Sequence, residues 1–229
     1  MPAVPGFGDR MMTYSRANPS PRYDELVGFY KQMHAEGTLE QNKALSAAET
    51  FTGMSLLPHI TTIKSLIDKF GIRTVLDYGA GKAKFYSEPL FPSADGTRKV
   101  DLRTFWGVDE IRLYDPGYEP LSKLPLGETF DAVICTDVME HIPEQDMDWV
   151  IDELYGFARK IIYVCIATYP AGKAFPNGEN VHVTLKNVRW WVEKFENRRV
   201  ALGTKVDYFM LVFAENNDPK PILVTSAGN

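Results

Sequence analysis

The sequence predicts an α/β fold, a doubly wound and mostly parallel sheet that ends in an antiparallel hairpin. Three observations carry this expectation. Four short apolar runs rich in β-branched residues, at 74–77, 111–115, 131–137 and 160–169, have the composition of strands buried on both faces. Stretches with apolar residues at helical spacing flank them. The chain closes on "RRVALGTKVDYFMLVFAE", two strand patterns around Gly203 and Thr204 that read as a hairpin. Strand and helix in alternation, followed by a hairpin, specify a doubly wound sheet with an antiparallel edge.

Taken in order, residues 1–22 carry four prolines and no periodicity, which predicts an extended or mobile arm. Residues 23–48 have the composition of one or two helices. Residues 55–70 place Leu56, Ile60, Ile63, Ile67 and Phe70 on one helical face, and Gly71 ends that helix before the first strand. After Pro143, the residues Met147, Val150, Leu154 and Phe157 form a second apolar face, with Glu144 and Asp146 suited to a helix start. A further helix is expected over 186–196, with Val188, Trp191, Val192 and Phe195 inward. The natural division is an N-terminal arm with helices (1–50) and one α/β domain (51–229).

Composition narrows the function. A net charge of −5 and an isoelectric point near 5.5 argue against a protein that holds nucleic acid mainly by counterion release. The N-terminus lacks a charged segment followed by an apolar one, and no apolar run approaches the ~20 residues that span a bilayer; the expectation is a soluble, cytoplasmic protein with no membrane partner. Cys135 and Cys165 both fall in strand-like apolar runs, as reduced core thiols do. The stretch 184–205 holds six basic and two acidic residues, the pattern of a solvated helix face, with Trp190 as an alternative stacking surface.

In doubly wound sheets ligands sit at the carboxyl ends of the strands, so the loop in "TVLDYGAGKAKF" is the first candidate. Lys84 stands where the dinucleotide fingerprint needs its third glycine, and neither the spacing nor the hydroxyl of a phosphate-cradling loop is present. What remains is D-x-G-x-G, whose acid suits a ligand presenting an ammonium group.

This pattern resembles motif I of the class I S-adenosylmethionine-dependent methyltransferases, and the resemblance extends over roughly residues 51–215. It implies a Rossmann-like sheet with S-adenosylmethionine as cofactor. Gly79 and Gly81 would admit its methionine part, Asp77 would lie beneath its amino group, and Asp115 in "LYDPG" would accept the ribose hydroxyls. Cys135 and Thr136 would line the cofactor, with Phe51, Tyr78 and Tyr86 as possible walls. Asp137, Glu140 and His141 in "DVMEH" would face the transferred methyl, His141 as general base. Two spacings depart from the family. The 33 residues between Gly81 and Asp115 imply an insertion before the second strand, at 88–109, expected as a wall or lid over the acceptor pocket. The 15 residues between Asp115 and Asp131 imply a third strand reduced or absent, which leaves the adenine contact unassigned.

The resemblance thus implies methyl transfer to an oxygen or nitrogen nucleophile, with a small-molecule or nucleotide-like acceptor favoured over nucleic acid. Asp137, Glu140, His141 and the later His182 also partly match the metal-binding pattern of small-RNA 2′-O-methyltransferases, a metal-assisted alternative. The expectation is a metal-free site; a cofactor-binding protein without catalysis is the third possibility.

Overall fold

The computed structural model describes residues 13–41, 43–215 and 220–227; the first twelve residues of the expected arm lie outside these. Helix α1 (Pro21–Glu36) begins where Ser20, in extended conformation, accepts the N–H of Tyr23 through its side chain, with proline in the first turn. Gly37, at φ 94°, ends it. The remainder of 23–48 is not α-helical: strands β1 (Thr38–Glu40) and β2 (Lys43–Leu45) pair as a small antiparallel ribbon, and Gly37 packs so closely on it that a side chain there would collide with the carbonyl of Leu45. The described part of the arm, 13–20, is anchored. Arg16 reaches both oxygens of Glu153 (2.7 and 2.6 Å) and the Tyr78 hydroxyl (2.8 Å), and Ser20 bonds the buried Asp146.

A 3-10 turn over Met54–His59 containing Pro58 leads into α2 (Ile60–Phe70), which ends on left-handed Gly71. Strand β3 (Thr74–Tyr78) follows. The insertion at 88–109 forms a two-residue ribbon, β4 (Phe91–Pro92) with β5 (Lys99–Val100), and the short helix α3 (Leu102–Trp106). Strand β6 (Glu110–Tyr114) comes next, and between Asp115 and Phe130 there is a 3-10 turn, Glu119–Leu121, with no strand among the described residues. Strand β7 (Phe130–Thr136), helix α4 (Met147–Phe157), strand β8 (Ala158–Ala167) and helix α5 (Val188–Leu202) complete the alternation before β9 (Asp207–Phe213) and β10 (Ile222–Thr225).

The six-stranded sheet has the order β10-β9-β8-β7-β3-β6. All pairs are parallel except β9 with β10. This is a mixed α/β sheet flanked by helices and compatible with a Rossmann-like fold. Alternating residues of β7 feed the two faces: Val133 and Cys135 pack with Leu154, Trp191 and Phe195 of α4 and α5, while Ala132 and Ile134 pack with Ile60, Ile63 and Trp106 of α2 and α3.

The hairpin differs from expectation in its strands. Residues 198–202, read as its first strand, belong to the last turns of α5, where Arg198 pairs with Asp152 of α4 (2.6 and 2.5 Å) and Arg199 with Glu196. Gly203 is the left-handed cap of that helix rather than a hairpin turn. The hairpin itself is β9 with β10, and β9 runs parallel to β8.

Candidate functional site

The carboxyl ends of β3, β6 and β7 open into a cavity of about 490 Å³. Its floor includes Gly79, Gly81, Asp115, Asp137 and His141; Tyr30 and His34 of α1, Phe51 and residues of the 169–182 segment form part of its wall. The cover is closed where β1 meets the loop at 171–173: Gln41 donates its N–H to Gly172 (2.9 Å) and Lys173 pairs with Glu40 (2.6 Å).

The glycine loop is fixed by its own backbone. Gly79 and Gly81 have φ of 93° and 57°, and a side chain on either would strike Val138 or the Phe51 carbonyl, so packing as well as backbone conformation requires glycine here. The N–H groups of Gly79 and Ala80 both go to the Tyr114 carbonyl (2.7 and 3.0 Å), and that of Gly81 to Asp115 Oδ2 (2.8 Å). Lys82 spends its ammonium on main-chain carbonyls, among them those of His34 (3.1 Å) and Thr50 (3.0 Å); it holds the cover rather than a ligand.

Asp115 stands at the end of β6 and lines the cavity. Its other oxygen accepts Gly117 N–H at 2.8 Å, and burial raises its pKa. Asp77 does not line the cavity. It lies buried within β3 and accepts the Tyr86 hydroxyl on Oδ2, and among the described residues its Oδ1 has no partner; burial, opposed by the Tyr86 bond and aided by the charge of Asp115, pushes its pKa up to about 7. Cys135 and Thr136 are likewise buried in β7 behind the wall. Of the proposed wall aromatics, Phe51 lines the cavity; Tyr78 and Tyr86 are buried elsewhere.

After β7 the chain turns sharply. Asp137 has φ 61° and donates its N–H to Cys165 (3.0 Å), an unusual conformation for a non-glycine residue of the kind that clusters at functional sites. Its side chain is half exposed. The following 3-10 turn, Met139–His141, separates its two polar residues. Glu140 is turned away from the cavity: it is fully buried, with Oε1 accepting the N–H of Ala167 (2.6 Å) and Oε2 unpartnered among the described residues. Burial, with the Asp137 charge nearby, holds it well above the usual carboxylate range, hence neutral.

His141 faces the cavity. Its Nδ1 lies 2.9 Å from the carbonyl of Val181 and 2.7 Å from the Tyr30 hydroxyl. A carbonyl only accepts, so this contact favours the proton on Nδ1 and leaves an Nε2 lone pair. Burial lowers the imidazole pKa, keeping the ring neutral. His182 repeats the arrangement, with Nδ1 at 2.6 Å from the Tyr169 carbonyl and Nε2 at 3.9 Å from Asp137 Oδ1. Asp137, His141 and His182 each present a ligand atom within 4.8 Å of the others, a set able to hold a divalent cation.

The lid therefore comes from α1, not from the insertion: no residue of 88–109 lines the cavity. Leu102 and Trp106 are instead fully buried against α2, where Trp106 Nε1 donates to Ile60 (3.1 Å). Tyr169 and Lys173 fall in the segment after β8 that the sequence offers as a candidate, whereas Tyr30 and His34 were not among the sequence candidates for the site. A signal for α1 existed, since Tyr23, Leu26, Val27, Tyr30 and His34, all cavity-lining, recur at intervals of one helical turn.

No protein-family model, curated protein or solved structure matches the chain. Among the described residues no helix is long and apolar enough to cross a membrane. Fold and site together define an α/β protein with a partly covered, histidine-bearing cavity at the carboxyl end of the parallel strands.

Proposed function

We propose that this protein is an S-adenosylmethionine-dependent methyltransferase acting on an oxygen or nitrogen nucleophile of a small molecule. The observation that carries the reading is the 2.8 Å bond from Gly81 N–H to Asp115 Oδ2. It joins the D-x-G-x-G loop to the strand-final acid at the edge of a cavity within the ~300–1,000 Å³ range of small-ligand sites.

The residues present suit that cofactor in part. Each Asp115 oxygen accepts one amide and keeps a lone pair for a hydroxyl, and the acidic wall favours a ligand of positive charge. Asp77, enclosed with Tyr86, lies too deep to meet an amino group directly; its part in the reading is to fix the loop. The cofactor when bound supplies a methyl group on sulfonium, already electrophilic. The protein's own work is then to align the acceptor and to receive a proton. His141 is the candidate for the second task, neutral and with Nε2 free. Glu140 supports its loop from behind.

A second reading uses the cluster of Asp137, His141 and His182. Both histidines give Nδ1 to backbone carbonyls, as metal-ligating histidines do with their distal N–H, and the open positions of a bound divalent cation would take acceptor oxygens. Glu140, the fourth residue of the sequence pattern, is not available to it, which leaves the metal-free reading the stronger. Production of S-adenosylhomocysteine, followed across nucleosides, RNA and small-metabolite pools with and without chelator, tests both.

A further inference from the structure

The sequence reading gives the nucleoside of the cofactor a single contact, Asp115 on the ribose, and leaves its adenine without one, and no strand follows β6 before Phe130 among the described residues. The space beside Asp115 is filled from elsewhere. His34, near the end of α1, lines the same cavity and is nearly buried. Its Nε2 stands 3.9 Å from Asp115 Oδ1, too far for a direct hydrogen bond and about right for one bridging oxygen. Among the described residues the other nitrogen, Nδ1, has no hydrogen-bond partner. The ring stacks on Tyr118 (centroids 5.1 Å, 24°), which follows Asp115 by three residues. The approach of α1 to this loop depends on Gly117, where a side chain would lie 2.8 Å from Tyr30 Cβ and 3.4 Å from His34 Cδ2.

The ring is neutral: burial and the nearby Lys82 ammonium lower its pKa to about 4. A neutral imidazole with its N–H on Nε2 points a donor at a carboxylate that can only accept. A ligand hydroxyl between them satisfies both at once, receiving from Nε2–H and donating to Oδ1.

We infer that His34 and Asp115 together grip the ribose hydroxyls of the cofactor, so that α1, outside the expected domain, builds the nucleoside subsite in place of a third strand. This rests on the cofactor reading above and goes beyond it in assigning a residue of the N-terminal helix to the contact. His34 acts by binding, so its test is an affinity measurement and needs no acceptor.

The experiment is calorimetry of adenosine, 2′-deoxyadenosine and 3′-deoxyadenosine with the wild type, His34→Phe and His34→Gln. Phenylalanine keeps the stacking on Tyr118; glutamine restores an N–H near Nε2. In the wild type at least one deoxy compound should bind roughly tenfold more weakly than adenosine, the size of one well-made hydrogen bond. His34→Phe should lower adenosine affinity by about as much and leave that deoxy compound unaffected, and His34→Gln should recover part of the discrimination. Equal losses for all three nucleosides in His34→Phe, or no loss, overturn the inference while leaving the cofactor reading standing. A wild type that binds neither adenosine nor S-adenosylmethionine overturns both. Should His34→Phe fail to fold, the wild-type discrimination and the glutamine variant still decide: a wild type indifferent to both hydroxyls, or a glutamine variant without discrimination, refutes the assignment.

Discussion

Glu140 Oε1 accepts the backbone N–H of Ala167 at 2.6 Å. Its own carbonyl takes the N–H groups of Val183 (2.9 Å) and Thr184 (3.0 Å), so one buried residue ties the loop bearing Asp137 and His141 both to the end of β8 and to the segment bearing His182. A neutral acid is replaceable by its amide. Glu140→Gln should therefore cost under about 1 kcal/mol, whereas Glu140→Ala, which strands the Ala167 N–H, should cost about 1 to 3 kcal/mol in urea unfolding. Equal damage from the two would mean that an ionised carboxylate is required there.

Asp77 gives a pH dependence of definite sign. Its pKa is raised by burial from 3.8 to about 7 in the folded protein, so the native state binds a proton that the unfolded chain has released. The stabilising contribution is complete below about pH 3.8 and is lost as pH rises towards 7. Asp77→Asn removes this dependence. The stability of the variant relative to wild type should increase between pH 5 and pH 7.5 in matched denaturation curves; a difference independent of pH would contradict the assignment.

Trp106 tests the role of the insertion. It is fully buried beneath α2 and lines no part of the cavity, so Trp106→Ala should cost about 3 to 5 kcal/mol of stability and, below its melting temperature, leave cofactor affinity within a few-fold. Weakened binding with stability unchanged would return the insertion to the role of a lid.

The two readings of the histidine pair diverge under chelation. With His141 as a metal-free base, transfer survives chelator, and His141→Ala slows it by roughly 10² to 10⁴, with a smaller loss for His182→Ala. Abolition by chelator with recovery on adding manganese or magnesium would favour the metal-assisted reading.

What the sequence revealed follows from how local each signal is. Strands β3, β7 and β8 were legible because their buried stretches are apolar runs, and β6, a half-buried edge strand carrying Glu110 and Arg112, was legible from its apolar residues and from Asp115, which like Asp137 after β7 marks where the strand stops. The glycine loop, Asp115 and the Asp137–His141 turn were found for the same reason. The cover was not, because its contacts join distant parts of the chain: Arg16 with Glu153, 137 residues apart, and Lys173 with Glu40, 133 apart. The direction of Glu140 was hidden too, since one residue of a 3-10 turn decides whether it or His141 faces the cavity. At 198–202, helix-favouring arginine, alanine and leucine outweighed an alternation that resembles a strand.

The central claim is that the cavity beside Asp115 binds S-adenosylmethionine, and calorimetric titration of the wild type and Asp115→Ala tests it most directly. The account predicts saturable one-to-one binding to the wild type and a loss of about 1.5 to 3 kcal/mol in the variant, the range for hydrogen bonds to a charged partner. Equal affinities would remove Asp115 from the site; no binding to the folded wild type would contradict the account.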